Sequence, residues 1–136
     1  MRRLALTACA LVPLLATGCG PRPGATSDEA RAAARTFLDA CARDDAQAAT
    51  EVLTEPARDT FIRARSPTAG CLDLANLALP GLTEAQVRQA FDRARVTVTH
   101  VHAIYAEAEI SAPGGARGGL QLDDVGGDWR VAGGID

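Results

Sequence analysis

The hydrophobic pattern of this chain changes its period near Val96. Before that point, apolar residues recur at spacings of three and four, which is typical of helices that pack on one side. From Val96 onward, apolar and polar residues alternate, which is typical of strands with one buried face. Helices followed by strands with glycine-rich turns predict an α+β domain, in which N-terminal helices pack on a curved antiparallel β-sheet meander.

The helical part divides into several segments. Ser27 is a suitable N-cap for a first helix, and Asp45 is a suitable N-cap for a second helix over residues 46–53. Further helices are predicted over residues 57–65 and 71–79 and from residue 84, with a turn at 66–70. Strands are predicted over residues 96–101, 104–110, 120–122 and 129–131. Trp129 is the only tryptophan, and we expect it to pack beneath the helices.

Two segments, ARTFLDACARDDAQAATEVL and LQLDDVGGDWRVAGG, resemble the first helix pair and the last hairpin of the nuclear transport factor two-like superfamily. The resemblance extends over residues 27–135, and it is closest to actinobacterial lipoproteins of that type. It implies a cone-shaped sheet covered by helices, and often a homodimer through the outer face, where Tyr105, Glu107 and Glu109 would lie. Enzymes of the superfamily use an Asp or His base inside the cone, but their catalytic sets match no set of residues here.

The N-terminal segment contains an apolar run that ends in LLATGC, with cysteine at position 19. The run of about a dozen residues suits a secretory signal peptide and is shorter than a membrane-spanning helix. It resembles the bacterial lipoprotein signal, which implies cleavage before Cys19 and attachment of acyl chains such as palmitate. Residues 1–18 would then be the signal peptide, 19–27 the lipidated cysteine and flexible tether, and 28–136 a single domain. The alternative is a secretory signal cut after Gly18, which would release a soluble protein.

The four cysteines favour the lipoprotein interpretation. Cys9 leaves with the signal peptide. If Cys19 carries the lipid, Cys41 and Cys71 remain as an even pair for an oxidising compartment. No CxxC spacing or neighbouring histidine indicates a redox or metal role for this pair. We therefore predict a structural Cys41–Cys71 disulfide, and closing its loop contributes about 3.5 kcal/mol on the chain-entropy model.

The chain contains two histidines, His100 and His102, and either could act as an acid or a base. In a regular strand they share a face, and an inward orientation would let them act as a base or hold a metal. However, Val98 and Val101 are three residues apart, which predicts a bulge near Thr99. The bulge would return Val101 to the core face and leave at least one histidine outside. Two histidines are one ligand short of the usual three for zinc, so no metal site is predicted.

The charge and composition bear on which partners the protein could bind. The formal net charge is −3, with no basic patch and few aromatic residues, which argues against a nucleic-acid-binding surface. We predict a non-enzymatic protein without a cofactor, lipid-anchored on the extracytoplasmic face of the cell membrane, that binds a small apolar ligand or an envelope protein. His100, His102 and Trp129 are the candidate ligand-binding residues. Two alternatives stay open: an isomerase-like or dehydratase-like enzyme that uses His100 or His102, and a purely structural tethered module.

Overall fold

The computed structural model describes residues 23–135, with side chains from Ser27 onward. Within this range, five helices precede a four-stranded antiparallel sheet whose strand order follows the chain. The predicted α+β class and antiparallel meander are therefore confirmed. The predicted signal peptide, the predicted lipidation site Cys19 and residues 20–22 of the predicted tether lie outside the described residues.

The helices are α1 (Pro23–Ala42), α2 (Ala46–Glu51), α3 (Glu55–Arg63), α4 (Pro67–Ala75) and α5 (Glu84–Arg93). The last four each begin behind a capping side chain. Asp45, Thr54, Ser66 and Thr83 each accept a hydrogen bond from a backbone N–H three residues ahead. The side chain of Gln86 also accepts from the Thr83 backbone N–H and so completes a capping box on α5.

The long helix α1 begins earlier than predicted. It begins at Pro23, so residues 23–27 of the predicted tether are helical and Ser27 is not the N-cap. The predicted apolar stripe is confirmed, because the residues at its three- and four-residue spacing are buried: Ala30, Ala34, Phe37, Leu38 and Cys41. This stripe lies against the sheet and α5.

The boundaries of α4 also differ from the prediction. It begins at Pro67, inside the predicted turn, because Ser66 caps it. Proline is tolerated in the first helical turn, since the backbone N–H groups there have no acceptor within the helix and the missing N–H of proline breaks no hydrogen bond. It ends at Ala75 rather than near residue 79, since Asn76 adopts the left-handed conformation, with φ of 50°.

The strands are β1 (Arg95–Val101), β2 (Tyr105–Ser111), β3 (Arg117–Val125) and β4 (Asp128–Gly134). The predicted bulge is present, since the β1–β2 register shifts between Val98 and His100. Val101 then lies opposite Ala106, on the face that the helices cover, but it remains 39% exposed. Ile104, expected to alternate with Ala106 as a buried residue, instead lies in the β1–β2 turn and is 70% exposed.

The helices cover one face of the sheet, here called the inner face, and leave the outer face to solvent. The largest fully buried side chains of the core come from both layers: Phe37, Leu38, Leu53, Phe91, Ile110, Leu120, Leu122 and Val131. The α2–α3 connection runs parallel to β4, because Thr54 N–H donates to the Val131 carbonyl (2.9 Å) and Val131 N–H donates to the Val52 carbonyl (2.8 Å). This connection satisfies backbone groups on an edge of the sheet that would otherwise be free to pair with another chain.

Candidate functional site

An open groove lies between α1, the end of α2 and the beginning of β4. Its volume is about 510 Å³. The apolar part of its lining consists of Ala33, Val52 and Trp129, and the charged part consists of Glu29, Glu51, Asp128 and Arg130. We call this feature the Trp129 groove. Trp129 is 9% exposed, which confirms that it packs beneath the helices, and its exposed portion contributes to the groove wall.

The turn between β3 and β4 positions one wall of the groove. Gly126 and Gly127 have φ of 63° and 97°, which suits a two-residue hairpin turn with both central residues at positive φ. The Asp124 carboxylate accepts a hydrogen bond from Gly127 N–H (2.9 Å) and stabilises this turn. Asp128 and Trp129 therefore occupy the first two positions of β4.

The end of α2 forms the facing wall. The parallel bridge between Leu53 and Val131 holds the α2–α3 connection beside β4. Arg130 Nη1 donates to the Glu51 carbonyl (2.8 Å) across the same junction. The groove is thus formed by elements that are already joined through backbone and side-chain hydrogen bonds.

The lining of the Trp129 groove suits the binding of a group that is partly apolar and partly charged. It contains no histidine, cysteine, serine or tyrosine. Three carboxylates and one guanidinium surround an aromatic and aliphatic floor. Such a surface favours an apolar group that carries a positive charge, because the carboxylates attract the charge and the indole and aliphatic carbons cover the apolar part.

A second groove lies on the other side of α1, against the beginning of β1, with a volume of about 530 Å³. Two of its arginines, Arg35 and Arg31, have partners within the fold. Arg35 donates to the carbonyl oxygens of Ala94 (2.6 Å) and Phe91 (2.9 Å), and Arg31 lies 3.2 Å from the Asp28 carboxylate. We regard the Trp129 groove as the better candidate site, because an aromatic residue, Trp129, lines it, whereas the lining of the second groove contains none.

The two histidines lie on the outer face of the sheet. His100 lies opposite Glu107 in the β1–β2 register, and its Nδ1 is 3.3 Å from Glu107 Oε2. The His100 side chain is 62% exposed. His102, which is also exposed, stacks on Tyr105 with ring centroids 4.2 Å apart. The bulge was predicted to leave at least one histidine outside, and it leaves both there.

The structure separates the three residues that the sequence analysis proposed for ligand binding. Trp129 lies on the inner face of β4, whereas His100 and His102 lie at the outer face near the end of β1. The enzyme alternative requires a histidine that faces the helix-covered interior, and neither His100 nor His102 does. Within residues 23–135, no group of three or more His, Cys, Asp or Glu residues is placed to hold a metal ion.

The predicted disulfide between Cys41 and Cys71 is present. It joins the end of α1 to α4, and both residues are buried. The pair is part of the core, remote from solvent, as expected of a structural disulfide.

Trp129 is the residue of the Trp129 groove that the sequence predicts as a candidate for binding, and the other lining residues are not predicted. Glu29, Ala33 and Glu51 lie on helices, and their positions in the pattern predicted only helix faces. The double glycine before Asp128 predicted the turn correctly, but no local signal places that turn beside α1 and α2, which lie far earlier in the chain.

None of the helices in the described part of the chain is long and apolar enough to cross a membrane. Comparison with protein-family models, with curated proteins and with solved structures found no match to this chain.

Proposed function

We propose that this chain is a lipid-anchored, extracytoplasmic binding module without catalytic activity, and that the Trp129 groove is its binding site. The observation that carries the proposal is the composition of that groove, which is lined by Trp129 and two aliphatic residues and by three acidic residues and one arginine. The ligand class that suits it is an apolar small molecule, or a protein segment, with a cationic group.

The anchor part of the proposal is supported by the sequence and by the disulfide. LLATGC resembles the lipoprotein signal, and a lipid on Cys19 would leave Cys41 and Cys71 as the remaining cysteines. A buried disulfide between those two suits an oxidising compartment. Acyl chains would hold the protein on the membrane surface, because each buried methylene contributes about 0.8 kcal/mol.

We also propose that the domain is a cone of the nuclear transport factor two-like superfamily. Three features support this: helices that precede an antiparallel meander, a long first helix packed across the sheet, and a tryptophan beneath the helices on the last hairpin. A homodimer through the outer face stays a prediction. Tyr105, Glu107 and Glu109 lie on that face, and light scattering of the purified protein would measure its oligomeric state.

Substitution of Cys19 tests the anchor. In a bacterium that processes lipoproteins, we expect the unmodified chain in the membrane fraction and Cys19→Ala outside it, because the acyl chains have no other attachment point. Cys9→Ala is the matched control and should fractionate like the unmodified chain. An unmodified N-terminus by intact-mass analysis, or a Cys19→Ala variant that stays on membranes, would contradict the anchor.

Because Trp129 is the single tryptophan and lines the groove, its fluorescence can report ligand binding there. We expect the emission of Trp129 to change saturably with 2-phenylethylamine, and much less with 3-phenylpropionate, which has a similar size and the opposite charge. Asp128→Asn and Glu51→Gln should weaken the amine response, because each removes a negative charge from the rim. Glu109→Gln, on the outer face, should leave it unchanged. Equal responses to both compounds, or none to either, would contradict this assignment.

The enzyme alternative receives no support from the positions of the histidines. An isomerase or dehydratase of the cone type needs its base inside the cavity, and His100 and His102 lie on the outer face. The purely structural alternative makes a different prediction, since a spacer needs no ligand. Native mass spectrometry of the purified protein, with a retained small molecule as the readout, distinguishes a binding module from a spacer.

A further inference from the structure

Three exposed aliphatic side chains lie at one end of the sheet, on its two faces and in a turn. Ile104 is 70% exposed, Val125 is 48% exposed and Val101 is 39% exposed. They lie in or beside the β1–β2 and β3–β4 turns, which an antiparallel meander brings to the same end. The two turns are adjacent, because Asp124 N–H donates to the Ile104 carbonyl (2.9 Å). We call these three residues the hairpin-tip cluster.

The first helix begins at the same end of the molecule. Near its beginning, Glu29 lines the Trp129 groove together with Gly127 and Asp128 of the β3–β4 turn. Farther along, Arg35 donates to the Ala94 carbonyl, just before β1 begins and therefore at the opposite end of that strand from its hairpin. The helix thus runs from the hairpin tips toward the other end of the sheet, and Pro23 lies at the side of the tips.

Few residues separate Cys19 from the helix in the sequence. Pro23 is four residues after Cys19, so this connection reaches at most about 14 Å even when fully extended. The tether of residues 20–27 expected from the sequence would have reached about 25 Å. A lipid on Cys19 therefore holds the beginning of α1, and the hairpin tips beside it, close to the bilayer surface.

We propose that the hairpin-tip cluster rests against the lipid bilayer that holds the Cys19 anchor, so that the domain is oriented and does not swing freely. This inference rests on the proposed lipidation of Cys19. The nearby Asp124 and Asp128 are negatively charged and do not attract anionic headgroups. The contact with the bilayer therefore depends on the apolar side chains of the cluster. Aliphatic side chains gain free energy when they leave water for the boundary between headgroups and acyl chains.

Tryptophan placed at each end of the sheet tests the orientation. Ile104→Trp introduces an indole at the hairpin tips. Leu82→Trp is the matched control, because Leu82 is 42% exposed and lies beside Pro113 of the β2–β3 turn, at the opposite end. The full chain, purified with its acyl chains, is placed in phosphatidylcholine vesicles with or without bromine on the lipid tails, and the unmodified chain provides the Trp129 baseline.

For Ile104→Trp we expect brominated lipid to reduce the added emission by about two-fold, since an interfacial side chain lies within several ångströms of the acyl region. Leu82→Trp should lose none of its added emission. Val125→Trp repeats the test at the second turn and guards against a local effect of the first substitution. Unchanged melting temperatures establish that the variants are folded.

The possible failures are distinguishable. If the chain carries acyl chains and floats with the vesicles, but Ile104→Trp and Val125→Trp are not quenched more than Leu82→Trp, the orientation is overturned and the anchor stands. If the intact mass shows no acyl chain on Cys19, the anchor is refuted, and the orientation that rests on it is refuted as well.

Discussion

At the residue scale, glycines determine how closely α4 approaches the sheet. A Cβ at Gly118 would overlap the carbonyl oxygen of Ala75, and a Cβ at Gly134 would come within 2.8 Å of the Asn76 Cβ. Gly119, the neighbour of Gly118, points to the other face, where a Cβ would meet Ile135 at an ordinary 3.4 Å. From the sequence alone, glycines at these positions indicate only a less stable strand. The close approach of α4 to the strands is visible only in the tertiary structure.

Substitution of Gly118 by alanine should therefore destabilise the protein. The expected loss is roughly 1–3 kcal/mol of the free energy of unfolding, because a backbone carbonyl cannot move aside as a flexible side chain can. Gly119→Ala is the control and should change stability by less than about 0.5 kcal/mol. Urea unfolding of both variants measures the difference. Similar values for the two would show that α4 does not press on the strand at Gly118.

A second prediction at this scale concerns the histidines. Replacement of His100 and His102 together by alanine should change the free energy of unfolding by less than about 0.5 kcal/mol, because exposed side chains and surface ion pairs contribute little. The response of Trp129 to 2-phenylethylamine should also stay the same, since the histidines lie on the opposite face of the sheet. Loss of that response in the double variant would mean that the outer face takes part in binding.

At the element scale, Arg35 joins α1 to the end of α5. Its side chain donates to the carbonyl oxygens of Phe91 and Ala94 and also lies 2.9 Å from the Asp39 carboxylate. The Phe91 carbonyl also accepts from the Ala94 N–H (3.3 Å), so the guanidinium adds a second, charged donor to it and a charged donor to the Ala94 carbonyl. The sequence pattern predicted only that Arg35 lies on the polar face of its helix.

Arg35→Met should lower the free energy of unfolding by about 2 kcal/mol. A hydrogen bond from a charged donor to a partly buried acceptor stabilises the fold more than a hydrogen bond between neutral groups does. Methionine keeps most of the apolar stem and removes the donors. Arg31→Met, on the same helix, is the control. Its ion pair with Asp28 is exposed, so the expected change is below about 0.5 kcal/mol. Thermal and urea unfolding would check both, and an equal effect would contradict the assigned role of Arg35.

At the scale of the whole molecule, the Cys41–Cys71 disulfide closes a loop that contains α2 and α3. The end of α2 and the residue after it also form one side of the Trp129 groove, through Glu51 and Val52. The covalent link between α1 and α4 therefore limits the conformations of the unfolded chain in the part that builds the site.

Removal of this disulfide should lower the free energy of unfolding by about 3–4 kcal/mol on the chain-entropy model. Cys41→Ala combined with Cys71→Ala tests this, with urea unfolding of the unmodified chain before and after reduction as a second measurement. Reductant should have no effect on the double variant. If reduction leaves the stability of the unmodified chain unchanged, the two cysteines are not bonded to each other in the folded protein.

The class of fold and most element positions were predictable, because helix and strand periods, capping residues and double-glycine turns act within a few residues of each other. The cap at Asp45 and the bulge after Val98 are examples. Errors occurred where a local signal had two interpretations. Ser66 and Pro67 suit a turn and also a helix start, and Ile104 continues an alternation that the hairpin interrupts.

The amino-acid sequence by itself determined which segments form helices and strands, their order, and the cysteine pair available for a disulfide. Hydrophobic period, backbone preference and cysteine count are local or compositional properties. Only the tertiary structure decided that Trp129 meets Glu51 and Ala33 in one groove, that both histidines face outward, and that α1 begins beside the hairpin tips. Those relations depend on how the layers pack across many residues of separation, and no short-range pattern encodes that packing.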